Sequence, residues 1–137
     1  MIALDTNVLI YACDKTDPRR EQIALDLISS ADGIVLLWQV ACEFMAASRK
    51  LRSKGFTTAD AWSRLADYLA MFQLIRPTGA VFGRARVLHT EEGWSFWDAM
   101  IVAACLECDV TRFYSEDLPG RAVRGSLEIL NPFRQPG

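Results

Sequence analysis

The sequence predicts an α/β domain, with a mainly parallel sheet of about five short strands flanked by helices. Short apolar runs alternate along the chain with longer segments whose apolar residues recur at helical spacing. The chain has 137 residues, of which 51% are hydrophobic and 23% charged. This composition suits a folded protein with one substantial core. We therefore expect residues 1–137 to form a single domain.

The predicted strands are short apolar runs that end at a turn or capping residue: 1–4, 34–37, 74–75, 112–115 and 127–130. The predicted helices lie between them and begin at residues that favour helix starts: Asp5 or Thr6, Pro18, Trp38, Thr57, Thr78 and Ser95. The helix from Trp38 is expected to reach Leu51, because Gly55 follows as a breaker. The helix after Thr57 is expected to turn one apolar face to the core: Trp62, Leu65, Leu69 and Phe72.

Composition and charge exclude several classes of protein. A net charge of −2 gives no general affinity for nucleic acid, although a local basic patch is compatible with it. The N-terminus lacks a basic signal-peptide region, and no uncharged run reaches the roughly 20 residues of a membrane span. Four cysteines in apolar surroundings are expected to be buried, reduced thiols: Cys13, Cys42, Cys105 and Cys108. We therefore expect a cytoplasmic protein without a membrane segment.

Three carboxylates are each the only charge in a long apolar stretch. Asp5 is alone between Met1 and Cys13, Glu43 within residues 35–48, and Asp98 within residues 93–106. An ionised carboxylate in apolar surroundings is costly unless it is paired or binds a metal. Because none of these stretches contains Lys or Arg, a shared divalent cation is the simplest way to keep all three ionised.

Each acid also has an ordinary structural explanation. Asp5 can cap a helix, and Asp98 can complete a capping box with Ser95. Glu43 can lie on a helix face that meets solvent. Asp117, which follows the fourth predicted strand, can be a solvated loop residue.

The positions of the four acids in the predicted fold favour a common site. Ligands of open parallel sheets bind beyond the carboxyl ends of the strands. Asp5 and Asp117 both follow strands, Asp98 begins a helix, and Glu43 lies within two turns of a helix start. Two carboxylates about 4 Å apart repel by about 4 kcal/mol at an effective dielectric of about 20, so cations or protons must compensate. An all-oxygen ligand set indicates Mg²⁺, with Mn²⁺ as the second choice.

These motifs resemble those of PIN-domain nucleases. The similarity rests on 5–7 (Asp-Thr-Asn), Glu43, 96–99 (Phe-Trp-Asp-Ala) and 115–117 (Ser-Glu-Asp). The ending from Ser115 to Phe133 is similar to that of VapC toxins, although Pro119-Gly120-Arg121 replaces a longer polar turn. The resemblance implies a strand order of 3-2-1-4-5, with Asp5 and Asp117 on neighbouring central strands. It also implies a metal-dependent endoribonuclease, usually a homodimer, inhibited by a cognate antitoxin.

On this interpretation Asp5, Glu43, Asp98 and Asp117 hold the metal and carry out catalysis on RNA. Three further residues are expected to orient these carboxylates: Thr6, Asn7 and Ser115. By resemblance Ser115 contacts Asp5, and Glu116 is expected to face solvent.

RNA is expected to be held beside this acidic cleft. The densest basic run supplies candidate phosphate contacts: Arg49, Lys50, Arg52 and Lys54. The alternative is a solvated helix end, where cations are favoured by the helix dipole. Trp38, Trp94 and Trp97 are candidates for base stacking, although core packing is the commoner role of aromatic residues at helical spacing.

Other enzyme classes fit less well. A receiver domain needs a lysine on a late strand, and no lysine follows Lys54. A haloacid-dehalogenase-type phosphatase needs Asp at the position of Asn7. A hydrolase with a catalytic triad is unsupported, because His89, the only histidine, has no serine or cysteine nucleophile in a recognisable setting. Two alternatives remain: a stand-alone RNA-processing nuclease, and a non-catalytic interaction module. A small upstream reading frame abutting the gene would favour the toxin.

Overall fold

The computed structural model of the chain describes residues 1–30, 32–118 and 123–134. Its elements, in chain order, are β1 (Ile2–Leu4), α1 (Thr6–Tyr11), α2 (Pro18–Ser30), β2 (Ile34–Leu37), α3 (Trp38–Ala47), a 3₁₀ helix (Ser48–Lys54), α4 (Thr58–Met71), β3 (Gln73–Ile75), α5 (Gly79–Glu91), α6 (Phe96–Glu107), β4 (Arg112–Tyr114), β5 (Val123–Arg124) and β6 (Leu127–Leu130). The segment 119–121, where the sequence differs from the longer polar turn of VapC toxins, lies outside the described residues.

The strands form one sheet in the order β3-β2-β1-β4-β6-β5. All neighbours are parallel except β5 and β6, which pair antiparallel. The predicted parallel order 3-2-1-4-5 is confirmed, because the fifth predicted strand is β6. The short β5 adds an edge strand that the sequence did not indicate. With β1 between β2 and β4, the residues that follow β1 and β4 emerge side by side.

The apolar strands are buried because helices cover the sheet. All four residues of β2 are buried. Ala3 lies in register with Val35 on one side and Phe113 on the other, and Phe113 is in register with Ile129. Ala3, Phe113 and Ile129 are each 0% exposed. These paired residues form the centre of the core, and their register aligns the ends of the neighbouring strands.

The predicted helix from Trp38 to Leu51 is two elements in the structure. The α-helix ends at Ala47 and the chain continues as a 3₁₀ helix to Lys54. Gly55 then ends the 3₁₀ helix with φ 89°, a left-handed conformation that glycine adopts without strain. Ser48 is buried where the two elements join, and its hydroxyl donates to the Met45 carbonyl at 2.8 Å. Such a bond to the preceding turn competes with the helical pattern.

The predicted capping box of α4 is confirmed. The Thr57 side chain accepts from the Asp60 backbone N–H, and the Asp60 carboxylate accepts from the Thr57 N–H.

The predicted core face of α4 is wrong for two of its four residues. Leu65 and Phe72 are buried, but Trp62 is 60% exposed and Leu69 45% exposed. The buried face instead includes Tyr68, whose ring lies 5.5 Å from that of Phe44 in an edge-to-face contact. The packing of α4 on α3 therefore uses a narrower arc of the helix than its apolar pattern spans.

The expectation of buried thiols is wrong for Cys42, which is exposed. Cys105 is buried, while Cys13 and Cys108 are half-buried, and all four thiols are free. Among the helices of the described ranges, none is long and apolar enough to cross a membrane.

The contrast between Phe44 and Trp62 predicts different costs of truncation. Phe44→Ala is expected to lower the free energy of unfolding by about 3–5 kcal/mol, because Phe44 is 0% exposed and its loss leaves a cavity. Trp62→Ala is expected to change it by about 0.5 kcal/mol, as is usual at the surface. Urea denaturation of both variants measures the difference. Equal costs would contradict the packing described for α4.

Candidate active site

Asp5 occupies the carboxyl end of β1, beside the end of β4. Its backbone N–H donates to the Tyr114 carbonyl at 2.9 Å. Its side chain is the N-cap of α1, with Oδ1 accepting from the Thr6 N–H at 2.8 Å. Oδ2 accepts from the Ser115 hydroxyl at 2.7 Å. The expected contact of Ser115 with Asp5 is therefore present, and it joins the ends of the two central strands.

Burial makes the Asp5 carboxylate hard to ionise. Asp5 is 8% exposed. Its pKa is raised to about 6, mainly by desolvation and further by the negative charges of Glu43 and Asp117. The hydrogen bonds from Ser115 and Thr6 stabilise the charged form and limit the rise in pKa.

Glu43 is held by two uncharged donors. The Thr6 hydroxyl donates to its Oε2 at 2.9 Å, and Gln39 Nε2 donates to its Oε1 at 3.1 Å. Thr6 therefore contacts Asp5 with its backbone and Glu43 with its side chain. Gln39, one turn earlier on α3, also donates to the Trp97 carbonyl at 3.4 Å, which ties α3 to the first turn of α6.

Asp117 is exposed and lies in the turn after β4. Asn7 Nδ2 donates to its Oδ2 at 3.1 Å, while Asn7 Oδ1 accepts from the Glu116 N–H at 3.3 Å. The Ser115 hydroxyl oxygen accepts from the backbone N–H groups of Asp117 and Leu118 at 3.2 and 3.3 Å. These bonds fix the turn and place Asp117 on the same edge of the sheet as Asp5.

Asp98 lies in the first turn of α6, half-buried. Its backbone N–H donates to the Ser95 hydroxyl at 3.3 Å, which confirms Ser95 as the N-cap. Within the described ranges its carboxylate makes no hydrogen bond or ion pair with Asp5, Glu43 or Asp117. Its connection to the other acids runs through the Gln39 bridge, one residue away at Trp97. Hydrogen bonds therefore link the surroundings of Asp5, Glu43 and Asp117, whereas the link to Asp98 uses the carbonyl of its neighbour Trp97 and not its own side chain.

The donor set fits a hard divalent cation by its chemistry. Each ion pair among residues 1–30, 32–118 and 123–134 uses another acid, namely Asp14, Asp17, Glu107 or Glu116. Asp5, Glu43, Asp98 and Asp117 thus have no cationic partner there. As they stand, however, no three acid, histidine or cysteine side chains of the described residues are arranged to hold a metal ion. Oxygen ligands without cationic partners suit Mg²⁺ or Mn²⁺.

The family model for the PIN domain matches residues 2–118. The chain belongs to the PIN-domain family. The match spans every strand that contributes an acid, from β1 to the turn after β4. No functionally curated protein has a sequence that matches this PIN domain.

Several solved structures are similar to this PIN domain throughout. A toxin–antitoxin complex from Klebsiella pneumoniae is 18% identical with a TM-score of 0.67, covering 96% of this chain and 98% of that one. VapC20 of Mycobacterium tuberculosis, a toxin that cleaves the sarcin–ricin loop, is 21% identical with a TM-score of 0.66, covering 85% and 90%. VapBC2 of Rickettsia felis, bound to a DNA fragment of its promoter, is 18% identical with a TM-score of 0.65, covering 96% and 98%. At these identities the likeness establishes the fold.

The expectation that Glu116 faces solvent is wrong. It accepts from the Tyr11 hydroxyl at 2.6 Å and from Arg20 Nε at 2.7 Å. The Arg20 guanidinium also lies over the rings of Tyr11 and Phe133, 5.3 and 6.0 Å from their centroids. This cluster fixes the backbone next to Asp117, and it gives Arg20 a carboxylate partner outside the acidic site.

Three residues that contact the acidic side chains of this PIN domain were missed at the sequence level: Gln39 at Glu43, and Tyr11 and Arg20 at Glu116. Gln39 was detectable, because it lies four residues before Glu43 and so on the same helix face. Tyr11 and Arg20 meet Glu116 across about a hundred residues, and no local pattern reveals such a contact.

Of the four cations in the basic run at 49–54, two bond to other side chains of the protein and two, called available below, make no described ion pair. Lys54 Nζ pairs with Asp14 at 3.0 Å, and Arg52 donates to the Thr58 hydroxyl at 3.0 Å. Arg49 and Lys50 are exposed and make none of the described ion pairs. Of the three candidate tryptophans, Trp38 and Trp97 are 48% and 63% exposed, and Trp94 is half-buried.

The raised pKa of Asp5 predicts a pH-dependent loss of stability in metal-free protein. Above a pH of about 4 the unfolded state releases the Asp5 proton, whereas the folded state keeps it until about pH 6. Stability is therefore lost as pH rises across this window, by about 3 kcal/mol at most. Asp5→Asn removes this loss, so its advantage in unfolding free energy over wild type should grow between pH 4 and pH 7.

Urea unfolding in chelator measures this advantage. The matched control is Asp26→Asn, at an exposed carboxylate on α2 that accepts from Gln22. It makes the same change of side chain at an exposed position and so isolates the effect of burial at Asp5. An Asp5→Asn advantage that stays constant across the window would contradict the prediction.

Proposed function

We propose that this PIN domain is a metal-dependent endoribonuclease and the toxin of a VapBC-type toxin–antitoxin pair, acting in the cytoplasm. The observation that carries the proposal is a set of three carboxylates that uncharged donors orient and that have no cationic partner among the described residues: Asp5, Glu43 and Asp117. Asp98, in the first turn of α6, is the fourth proposed ligand. The similarity to toxin–antitoxin structures, one of them a sarcin–ricin-loop-cleaving toxin, supports it.

In this proposal Asp5, Glu43, Asp98 and Asp117 hold Mg²⁺, or Mn²⁺ in its place. When bound there, the cation would supply an activated water and would neutralise charge on the phosphate and the leaving oxygen. The chain's own residues prepare the ligands. Three groups of residues orient them: Ser115 and Thr6 for Asp5, Thr6 and Gln39 for Glu43, and Asn7 for Asp117.

Uncharged donors suit this task. A lysine or arginine in place of Thr6, Gln39, Asn7 or Ser115 would neutralise the carboxylates and compete with the cation. Hydroxyl and amide donors fix the direction of each carboxylate and leave its charge for the metal.

The proposal includes two partners. The RNA substrate is held by the basic run, with Arg49 and Lys50 as the available phosphate contacts and Arg52 and Lys54 partly engaged with the protein. A cognate antitoxin inhibits the enzyme, and the domain is a homodimer, as its family resemblance implies. A small reading frame directly upstream whose product co-purifies with this chain would support the toxin. Its absence would favour the stand-alone RNA-processing nuclease.

Loss of a ligand is expected to abolish cleavage. With Mg²⁺, wild type should cut at least one RNA from a panel of tRNAs and a sarcin–ricin stem-loop, and chelator should stop it. Asp5→Asn and Asp98→Asn should lower the rate at least about a hundredfold, and Ser115→Ala by about tenfold to a hundredfold as an orienting residue. Gel-resolved initial rates measure this, with Asp26→Asn expected to match wild type. Cleavage that survives both ligand substitutions would refute the assigned site.

Metal binding is expected to stabilise the fold independently of activity. At a hundredfold excess over Kd, a cation bound only by the folded state adds about 2.7 kcal/mol. Mg²⁺ or Mn²⁺ should then raise the Tm by roughly 5–10 °C. Differential scanning fluorimetry should show this rise in wild type and not in Asp5→Asn. An equal rise in both proteins would place the metal elsewhere, and no rise in wild type would argue for the non-catalytic module.

The available cations are expected to dominate RNA binding. Each phosphate contact to single-stranded RNA contributes about 0.7 to the slope of log K against log salt. The double variant Arg49→Gln/Lys50→Gln should therefore reduce that slope by up to about 1.4, whereas Lys54→Gln should reduce it less because Lys54 pairs with Asp14. Anisotropy titrations of a labelled RNA at several salt concentrations measure both. Equal effects would indicate that the Asp14 contact does not occupy Lys54.

A further inference from the structure

Two exposed tryptophans flank a cavity next to the acidic site. Trp38 begins α3 and Trp97 lies in the first turn of α6, and both line a cavity of about 270 Å³. The floor is apolar and includes Ile75, Met100 and Ile101. Side chains of this size are usually buried, so their exposure of 48% and 63% points to a binding role.

Gln39 connects the lining of the cavity to the proposed catalytic site. Gln39 lines the cavity, donates to the Glu43 carboxylate at 3.1 Å and donates to the Trp97 carbonyl at 3.4 Å. Asp98 follows Trp97 directly. A group in the cavity therefore lies against the same helix starts that carry two of the four proposed ligands.

The lining has a distinctive charge pattern. Among its residues only Arg76 is charged, and it makes none of the ion pairs that the described ranges contain. An apolar, aromatic lining with one cation excludes a bare phosphate as the main occupant. It suits a flat aromatic group attached to an anionic backbone, since the ring stacks on tryptophan and the guanidinium meets the phosphate.

The size of the cavity limits the occupant. Pockets that enclose drug-sized molecules measure about 300–1,000 Å³, and this one lies just below that range. One ring system fits such a volume. Recognition of RNA generally uses unstacked bases placed on aromatic side chains in this way.

We propose that this cavity is a nucleobase subsite, which binds one unstacked base of the RNA beside the phosphate to be cleaved. This inference rests on the proposed function, because it assigns the substrate contact of the same site. Trp97 and Trp38 supply the stacking surfaces, and Arg76 meets the adjoining phosphate. Gln39 couples the subsite to Glu43.

The test separates the contribution of the base from that of the backbone. The probes are 5′-fluorescein-labelled 12-mers of adenylate, of uridylate, and of ribose-phosphate without bases, which carry equal charge. Binding is measured by anisotropy in chelator, where proposed cleavage is stopped. Wild type should bind a base-containing 12-mer about tenfold more tightly than the abasic one, equivalent to about 1.4 kcal/mol.

The tryptophan variants should remove this preference. Trp97→Ala and Trp38→Ala should each weaken binding of the base-containing 12-mers by about tenfold and leave the abasic 12-mer unchanged. Trp62→Ala is the matched control, because Trp62 is 60% exposed but does not line the cavity. It should change neither affinity.

Two results would overturn the subsite. One is an equal affinity of wild type for base-containing and abasic 12-mers. The other is a preference that Trp97→Ala and Trp38→Ala leave intact. If these variants instead convert a dimer to a monomer in analytical ultracentrifugation while the preference stays intact, the surface is a protein interface. Metal-dependent cleavage by wild type is scored separately, so loss of the subsite alone leaves the proposed nuclease standing.

Discussion

The main constraint on this structure is the burial of one carboxylate at the ends of the two central strands. Asp5 is 8% exposed and bonds to the chain after β4 through the Tyr114 carbonyl and the Ser115 hydroxyl. A charge in this position opposes folding, which is why burial raises its pKa to about 6. A fold that retains this residue must compensate for it. The hydrogen bonds from Ser115 and Thr6 achieve this in part, and the proposed divalent cation would complete it.

The donors around the acids connect elements that are distant in sequence. Thr6 joins Asp5 to Glu43, Asn7 joins α1 to the turn after β4, and Gln39 joins α3 to α6. Each donor therefore has a structural and a chemical consequence. It holds neighbouring elements in place, and it sets the direction of a carboxylate without removing its charge. This arrangement concentrates negative potential at one edge of the sheet.

Among the described residues, the cations that form ion pairs do so with acids other than the four proposed ligands. Arg20 bonds to Glu116 and Asp17, and Lys54 pairs with Asp14. The Arg20 side chain also lies over Tyr11 and Phe133, so it fastens the C-terminal part of the described chain to α1 and α2. Acids that have a cationic partner thus support the structure, while the four proposed ligands have none in the described ranges. Glu116 and Asp117 are neighbours in sequence, but only Glu116 has a cationic partner among the described residues.

The sequence by itself determined the five parallel strands, the α4 capping box, the N-cap role of Ser95, a helix start at Asp5 or Thr6, and the isolation of three acids in apolar stretches. All of these are local, because they follow from residue spacing within one or two turns. The order of the parallel strands came from resemblance. Only the tertiary structure decided that Glu116 is bonded to Tyr11 and Arg20, that Trp62 and Trp97 are exposed, and that Gln39 joins α3 to the first turn of α6. Such features depend on which face of a helix meets another element, and a single amphipathic pattern leaves that choice open.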